Sequence, residues 1–334
     1  MIQNVLIYTH HKNHFDHWLR SFASYLSRQG HKVIHRSGTV SNFWFEYVVP
    51  RCHHVFIWNG NEDHYLLVKE LCHRYHVPLT IMEVGYFPQK NYVIFDRKGI
   101  NARSELMEDS LEWVDKNHIN RSKELSKVYV GSKKHTGKNL YILAPLQLAS
   151  DTNIKNHSPF KSMQAFIDHT EMKFPDDKVV FKKHPLDKSS YTTKNPNNTI
   201  VANGDILMLA QDARLVYGIN STSLLEATLM NVPTIAIGEG FLNKHQNNIE
   251  KLIAALWDKQ APINATDYQY WLQRYTDFYK DIENLKPKTM YIFWIINALD
   301  IMDHRMRDLV LYISNLYLRV RASIHKRMNH LCLR

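Results

Sequence analysis

The 334-residue chain is poor in cysteine, in glycine and in long apolar runs. Its three cysteines, Cys52, Cys72 and Cys332, form no dense disulfide framework and no paired metal-ligand spacing, which fits a reducing compartment. Eleven glycines leave little material for phosphate-cradling loops, and the sequence contains no P-loop, no GxGxxG and no GxSxG. ATPase, dinucleotide oxidoreductase and α/β-hydrolase chemistries therefore lack their usual device. The two most apolar stretches, TMYIFWIINAL (289–299) and LVLYISNLYL (309–318), fall well below the ~20 residues of a spanning helix. Asp300, Asp303, His304, Arg305, Arg307 and Asp308 lie between them, which argues against a hairpin of two spans. The opening MIQNVLIYTHHKNHF meets His10, His11 and Lys12 too early for a secretory leader and reads as a first strand, so the expected location is the cytoplasm.

What is present suits a soluble α/β protein. The 44% hydrophobic and 22% charged fractions exclude a disordered, collagenous or multi-span chain. The length favours two domains over one. Forty-two Lys and Arg against 32 Asp and Glu give a net charge of +10, which calls for an anionic partner: a nucleotide, a nucleic acid or an acidic membrane face. No RRM, zinc-finger or homeodomain pattern accompanies the charge, so nucleic acid is not expected.

Strand and helix patterns alternate. VLIYT (5–9), HKVIHRS (31–37), HVFIWNG (54–60) and PLTIMEVG (78–85) read as strands, with helices over 14–30 and about 62–75 between them. Residues 97–138 lose the strand pattern and suggest a linker. A second series follows: NLYILAP (139–145), a helix near 159–173, KVVFKKHP (178–185), TIVAN (199–203), a helix around 205–212, LVYGIN (215–220), a helix over 221–230, and VPTIAIG (232–238). Such alternation implies parallel sheets with helices on both faces. The expected architecture is α/β, two Rossmann-like domains facing a cleft, 1–135 as the acceptor domain and 136–285 as the nucleotide-sugar domain, followed by basic amphipathic C-terminal helices, 286–334, that pack on the fold or lie on an anionic bilayer.

Ligands of open α/β sheets bind at the carboxyl ends of strands, which directs attention to the polar residues there. Ser221, Thr222 and Ser223 would open a helix, either as a cap or as donors to phosphate oxygens, with Glu226 close behind. Lys182, Lys183 and His184 follow VVF, and Pro185 restricts His184, so an imidazole beside lysines could serve a phosphate leaving group. Asp151, past APLQLAS, is either a helix cap or a nucleophile or base; Glu83 ends LTIMEV and offers a second carboxylate. The histidines His10, His11, His14, His17, His53 and His54 invite a metal, but no HExxH or Cys/His finger spacing supports one, and no metal or cofactor is expected.

Taken in order, Glu83-Val84-Gly85, His184-Pro185 and Ser221-Thr222-Ser223 resemble the acidic-Gly, HP and Ser/Thr motifs of bacterial glycosyltransferases that use CMP-activated sugars. PLQLASDTNI (145–154) and EVGYFPQKNYVIFDRKGIN (83–101) resemble, more narrowly, the retaining β-Kdo transferases of capsule and lipopolysaccharide assembly. The resemblance covers about residues 55–240. It implies a GT-B type fold and transfer of Kdo from CMP-Kdo to a glycan or glycolipid acceptor, on the inner face of a membrane and without metal. Asp151 would be the nucleophile, His184 the phosphate contact supported by Lys182, and Glu83 the acid/base toward the acceptor. Gln147, Asn220, Ser221, Thr222, Ser223 and Glu226 would bind the nucleotide sugar. Val84 stands where many CMP-sialic-acid enzymes carry a second acidic residue. A CMP-sialic-acid transferase, a CDP-glycerol glycerophosphotransferase and a non-catalytic partner in polysaccharide assembly or export remain as alternatives.

Overall fold

A computed structural model describes residues 3–279; the stretch 286–334 and its membrane contact lie outside the described residues. Contacts between Cα atoms divide the chain into two units, one formed by residues 3–82 together with 263–279, the other by 83–262. The division takes in the chain on both sides of the second unit, so the first unit is discontinuous in sequence.

In the first unit the strands β1 (Asn4–Thr9), β2 (Lys32–Ser37), β3 (His54–Trp58) and β4 (Leu79–Val84) run parallel in the order β2-β1-β3-β4. Every residue of β1 and β3 is buried, the condition under which strands read as continuous apolar runs instead of alternating ones. The first connection is helical from Lys12 to Arg28 but not uniformly so: a π turn over Phe15–Leu19 separates a short α-turn, Lys12–His14, from the α-helix Arg20–Arg28. That helix buries Phe22, Ala23, Tyr25 and Leu26 and ends at Gly30, whose φ of +84° is the left-handed conformation that glycine adopts most readily. Phe22 meets Phe56 and Tyr268 edge-on, with ring centroids 5.0 and 5.3 Å away, so the returning segment completes this core.

The second unit holds a parallel five-stranded sheet in the order β10-β9-β6-β7-β8, from β6 (Tyr141–Pro145), β7 (Val179–Lys182), β8 (Thr199–Val201), β9 (Ala213–Gly218) and β10 (Thr234–Ala236). Side chains alternate between its faces. Ile142 and Ala144 join a core with Phe166 and Ile167 of the helix Met163–Lys173, whereas Leu143 joins another with Leu224 and Leu225 of the helix Thr222–Leu229. β5 (Tyr92–Asp96) pairs antiparallel with β11 (Gln260–Pro262).

The segment 97–138 is more than a linker. It carries the helix Lys116–Val130, capped by the Asp115 carboxylate on the Asn117 and His118 N–H groups, and it sends Leu106, Leu111, Val114 and Val130 into the core of the second unit. Its start is fixed from within. Asp96 and Lys259, both fully buried, lie 3.2 Å apart, Lys259 also bonds Glu105, and Asp96 accepts from the N–H groups of Lys98 and Gly99 and from the Ser104 hydroxyl. The α/β class with parallel sheets is as the alternation requires.

Candidate functional site

The middle strand of the second sheet, β6, has β7 on one side and β9 on the other. The residues singled out from the sequence follow these three strands. After β6 the chain turns through Gln147 to Asp151, which caps the short helix Thr152–His157: its Oδ1 accepts from the Asn153 N–H at 2.8 Å and its carbonyl accepts from Ile154 and Lys155. Oδ2 is left for other work.

After β7 the chain makes a tight turn in which the Asp187 N–H donates to the His184 carbonyl. The Leu186 N–H donates to His184 Nδ1 at 3.1 Å. A backbone N–H can only donate, so Nδ1 is the acceptor and the proton of the neutral ring sits on Nε2. Burial lowers the pKa of His184; the Asp151 carboxylate opposes that shift, Lys182 adds to it and Asp187 opposes it. The Asp151 carboxylate thus acts electrostatically on His184 from the neighbouring strand. Lys182 is buried, and its Nζ donates to the carbonyls of Lys183 (2.6 Å) and Ala202 (3.1 Å). Burial lowers its pKa. Two of its three protons hold the turn in place, so it is a brace for His184 as much as a charge.

After β9, Ser221 caps the helix Thr222–Leu229 by accepting from the Ser223 N–H, and Thr222 Oγ1 accepts from Gln89. Ser221, Thr222 and Ser223 are half-buried. Gln147 ties this turn to the one after β6: its Nε2 donates to Asn220 Oδ1 at 3.1 Å, and the Asn220 N–H donates to its Oε1 at 3.3 Å. The Asn220 amide also donates to the carbonyls of Asn153 and Glu239. Gln147 and Asn220 are therefore the knot that holds the strand ends in register.

Two residues stand apart. Glu226 is on the flank of its helix, bonded to the Tyr129 hydroxyl, and burial raises its pKa. It lies too far along the helix to pair with the Ser221 cap, since Leu224 occupies the third helical position. Glu83 accepts from the Val84 N–H and acts electrostatically on Tyr86; it is not among the charges that shift His184. Sequence reasoning passed over Asn101, whose amide donates to the Asn220 carbonyl at 3.4 Å and whose Oδ1 would be only 2.4 Å from a Cβ at Gly240. Its φ of +46° was the available signal only once the chain was folded. Among the described residues no group of three or more His, Cys, Asp or Glu could hold a metal ion, and no helix is long and apolar enough to cross a membrane.

Comparison with known proteins places this arrangement. Residues 116–265 match the family described as capsule polysaccharide biosynthesis protein. That stretch contains the turns after β6, β7 and β9, and it supports the resemblance drawn from the motifs. Protein FixF of Sinorhizobium fredii (strain NBRC 101917 / NGR234) is 34% identical over 128 residues, which are 35% of this chain and 32% of FixF. The match thus spans about a third of that relative. Two solved structures share the fold. The Thermosulfurimonas dismutans KpsC beta Kdo 2,7 transferase superposes with a TM-score of 0.56 at 18% identity, over 76% of this chain and 90% of that one. The beta Kdo 2,4 transferase of the same organism's KpsC gives 0.60 at 13%, over 77% and 90%.

Proposed function

We propose that this protein is a glycosyltransferase of capsule polysaccharide synthesis that moves Kdo from CMP-Kdo to a glycan or glycolipid acceptor with retention. One observation carries the reading. A carboxylate (Asp151), an imidazole with its proton on Nε2 (His184) and a serine-capped helix N-terminus (Ser221–Ser223) follow three adjacent strands, and the Asp151 carboxylate is among the charges that act on His184.

The chemistry follows from these parts. Asp151 Oδ2 attacks the anomeric carbon as the bond to the CMP phosphate breaks, forming an acylal ester to the enzyme. The departing phosphate gains negative charge, met by the His184 Nε2–H, by the hydroxyls of Ser221, Thr222 and Ser223 and by the positive end of their helix. An acceptor hydroxyl then attacks the same carbon from the opposite face, releases Asp151 and gives up its proton to a base, the role assigned to Glu83. Two inversions give net retention. Gln147 and Asn220 hold the turns and Lys182 holds the histidine, while Glu226, bonded to Tyr129 on the flank of its helix, takes no part in the step. The scheme calls for no metal. The same reading places the enzyme in the cytoplasm, at the inner face of the membrane, with an anionic lipid surface as a partner.

Intact-protein mass spectrometry tests it. Wild-type chain incubated with CMP-Kdo and no acceptor is expected to gain the mass of one Kdo, and Asp151→Ala to gain none and to lose transfer by about a thousandfold or more. Consumption of CMP-sialic acid or CDP-glycerol in place of CMP-Kdo overturns the donor assignment. Turnover of none of the three points to the non-catalytic alternative.

A further inference from the structure

The segment 116–138 concentrates charge. It holds seven Lys and Arg against one acidic residue, Glu124, a net +6 in a chain whose total is +10. Its helix, Lys116–Val130, packs beside the helix Ile249–Lys259 and the end of Thr222–Leu229, and these elements line a cavity of about 970 Å³. The cavity is remote from the candidate site. His135, on its wall, bonds the carbonyl of Ala213 where β9 begins, and Met230 and Asn231 lead into β10. It therefore opens at the amino ends of the strands, whereas Asp151, His184 and Ser221 stand at the carboxyl ends.

Floor and rim differ in character. Ser122, Ser126, Val130, Met230 and Ile253 are buried, while Lys123, Lys127, Lys134 and Glu250 are exposed. The hydroxyls of the floor are used within the protein: Ser122 donates to the Ile119 carbonyl at 2.8 Å, Thr228 donates to the Leu225 carbonyl at 2.6 Å, and Ser126 accepts from the Trp257 indole at 3.0 Å. What remains for an occupant is apolar contact, from Val130, Met230 and Ile253 and from the half-buried Ile119, Leu229 and Ile249. The rim already meets carboxylates one at a time: Lys123 with Glu250 at 3.0 Å, Lys127 with Glu124 at 2.7 Å and Lys133 with Asp205 at 2.7 Å. Exposed pairs of this kind are worth no more than about 1 kcal/mol, so they can be exchanged. Among the described residues Lys134 has no carboxylate partner. We propose that this groove docks an amphipathic helix of a partner protein, apolar on one face and lined with Asp or Glu along its edges.

Shape and charge select that occupant. A helix is a convex rod about 10–12 Å across, able to lower an apolar stripe into a hollow and bring carboxylates to both banks. A bilayer is held by apolar side chains that project into it, and here they are recessed below the lysines. A phosphate group draws several donors to one point, whereas three of these lysines each face a separate carboxylate. The chain's own residues 286–334 carry nine Lys and Arg against three Asp, the same sign as the rim, which points to a second protein.

The probe is a fluorescein-labelled peptide of about five helical turns, with Leu at i, i+3, i+4 and i+7 and Glu on both flanks, together with a twin carrying Gln for every Glu. The full chain, without nucleotide, is titrated into each and anisotropy is read, so transfer activity does not enter. Saturable binding of the Glu peptide is expected, about tenfold or more tighter than that of the Gln twin and weakened by salt. Lys134→Glu should weaken it about tenfold by reversing a rim charge, and Ile249→Gln likewise by spoiling the floor. Absence of binding overturns the proposal, as does equal affinity for the two peptides or affinity unchanged in both variants. Binding to phosphatidylglycerol vesicles that both variants abolish makes a bilayer the occupant and overturns it as well. Circular dichroism of each variant shows that the fold is intact, and either variant suffices if the other fails to fold.

Discussion

The strand ends of the two units differ in how many of their polar groups are paired. After β6, β7 and β9 many polar groups pair with one another, Gln147 with Asn220, Asp151 with its helix and Lys182 with two carbonyls, while Asn153 Oδ1 and His157 Nε2 stay buried without a partner. After β1 they do not, and Thr9, His10, His14 and Trp18 each keep a buried atom without a partner. The contrast is one of degree: the turns of the second unit are cross-linked by side-chain hydrogen bonds between strand ends, and the turn after β1 is held by ring packing.

The largest effect should come from breaking the paired side. Lys259→Met leaves the carboxylates of Asp96 and Glu105 without their buried cation and should lower the unfolding free energy by about 3–5 kcal/mol, read from urea denaturation. The exposed pair Arg74–Glu70 is the control, and its loss should cost no more than about 1 kcal/mol.

A smaller effect separates the units by pH. Burial lowers the pKa of His54, inside the first unit, to about 3, with Asp277 opposing. Its unfolded counterpart takes up a proton near pH 6.5, and the native state does not until far lower. Stability from this residue is therefore full above pH 6.5 and declines as pH falls toward 3, by about 2 kcal/mol at pH 5. His54→Gln should flatten the fall in urea midpoint between pH 7 and pH 5, and an unaltered fall would count against His54 as its source.

The smallest effect has the opposite sign. Thr9→Val replaces the unpaired buried hydroxyl with a methyl of similar shape and should raise stability by about 1 kcal/mol in a thermal melt. A loss of stability would mean that Oγ1 has a partner in solution and would blur the contrast between the units.

The strands were legible in the sequence because a parallel strand buried on both faces is an unbroken apolar word: VLIYT and NLYILAP needed no tertiary information. The helix Lys116–Val130 was not, because its buried residues are Ser122, Ser126 and Val130, and a serine stripe carries no hydrophobic period; Ser126 is buried against the Trp257 indole, which donates to it at 3.0 Å. β5, YVIFD, was hidden within a stretch read for its motif and not for its pattern. In the site, Asp151, His184 and Ser221 could be found because strand ends are where ligands go. The bond of Lys182 to Ala202 and the Tyr129–Glu226 contact could not, since each joins segments apart in sequence. The histidines of the first unit were visible as composition and raised a metal that their spacing did not support; their unpaired atoms exist only in three dimensions.

The order β10-β9-β6-β7-β8 has a consequence of its own. From β6 the chain winds outward through β7 and β8, then returns past its starting strand and winds the other way through β9 and β10. The helices that follow β6 and β9 consequently leave on opposite faces, and the loops leading to them diverge. A crevice opens between them as a matter of connectivity, before any side chain is chosen. Asp151 and Ser221 stand on its two banks, so evolution of a new specificity in this unit can proceed by changing what lines the gap while the winding that creates it stays untouched.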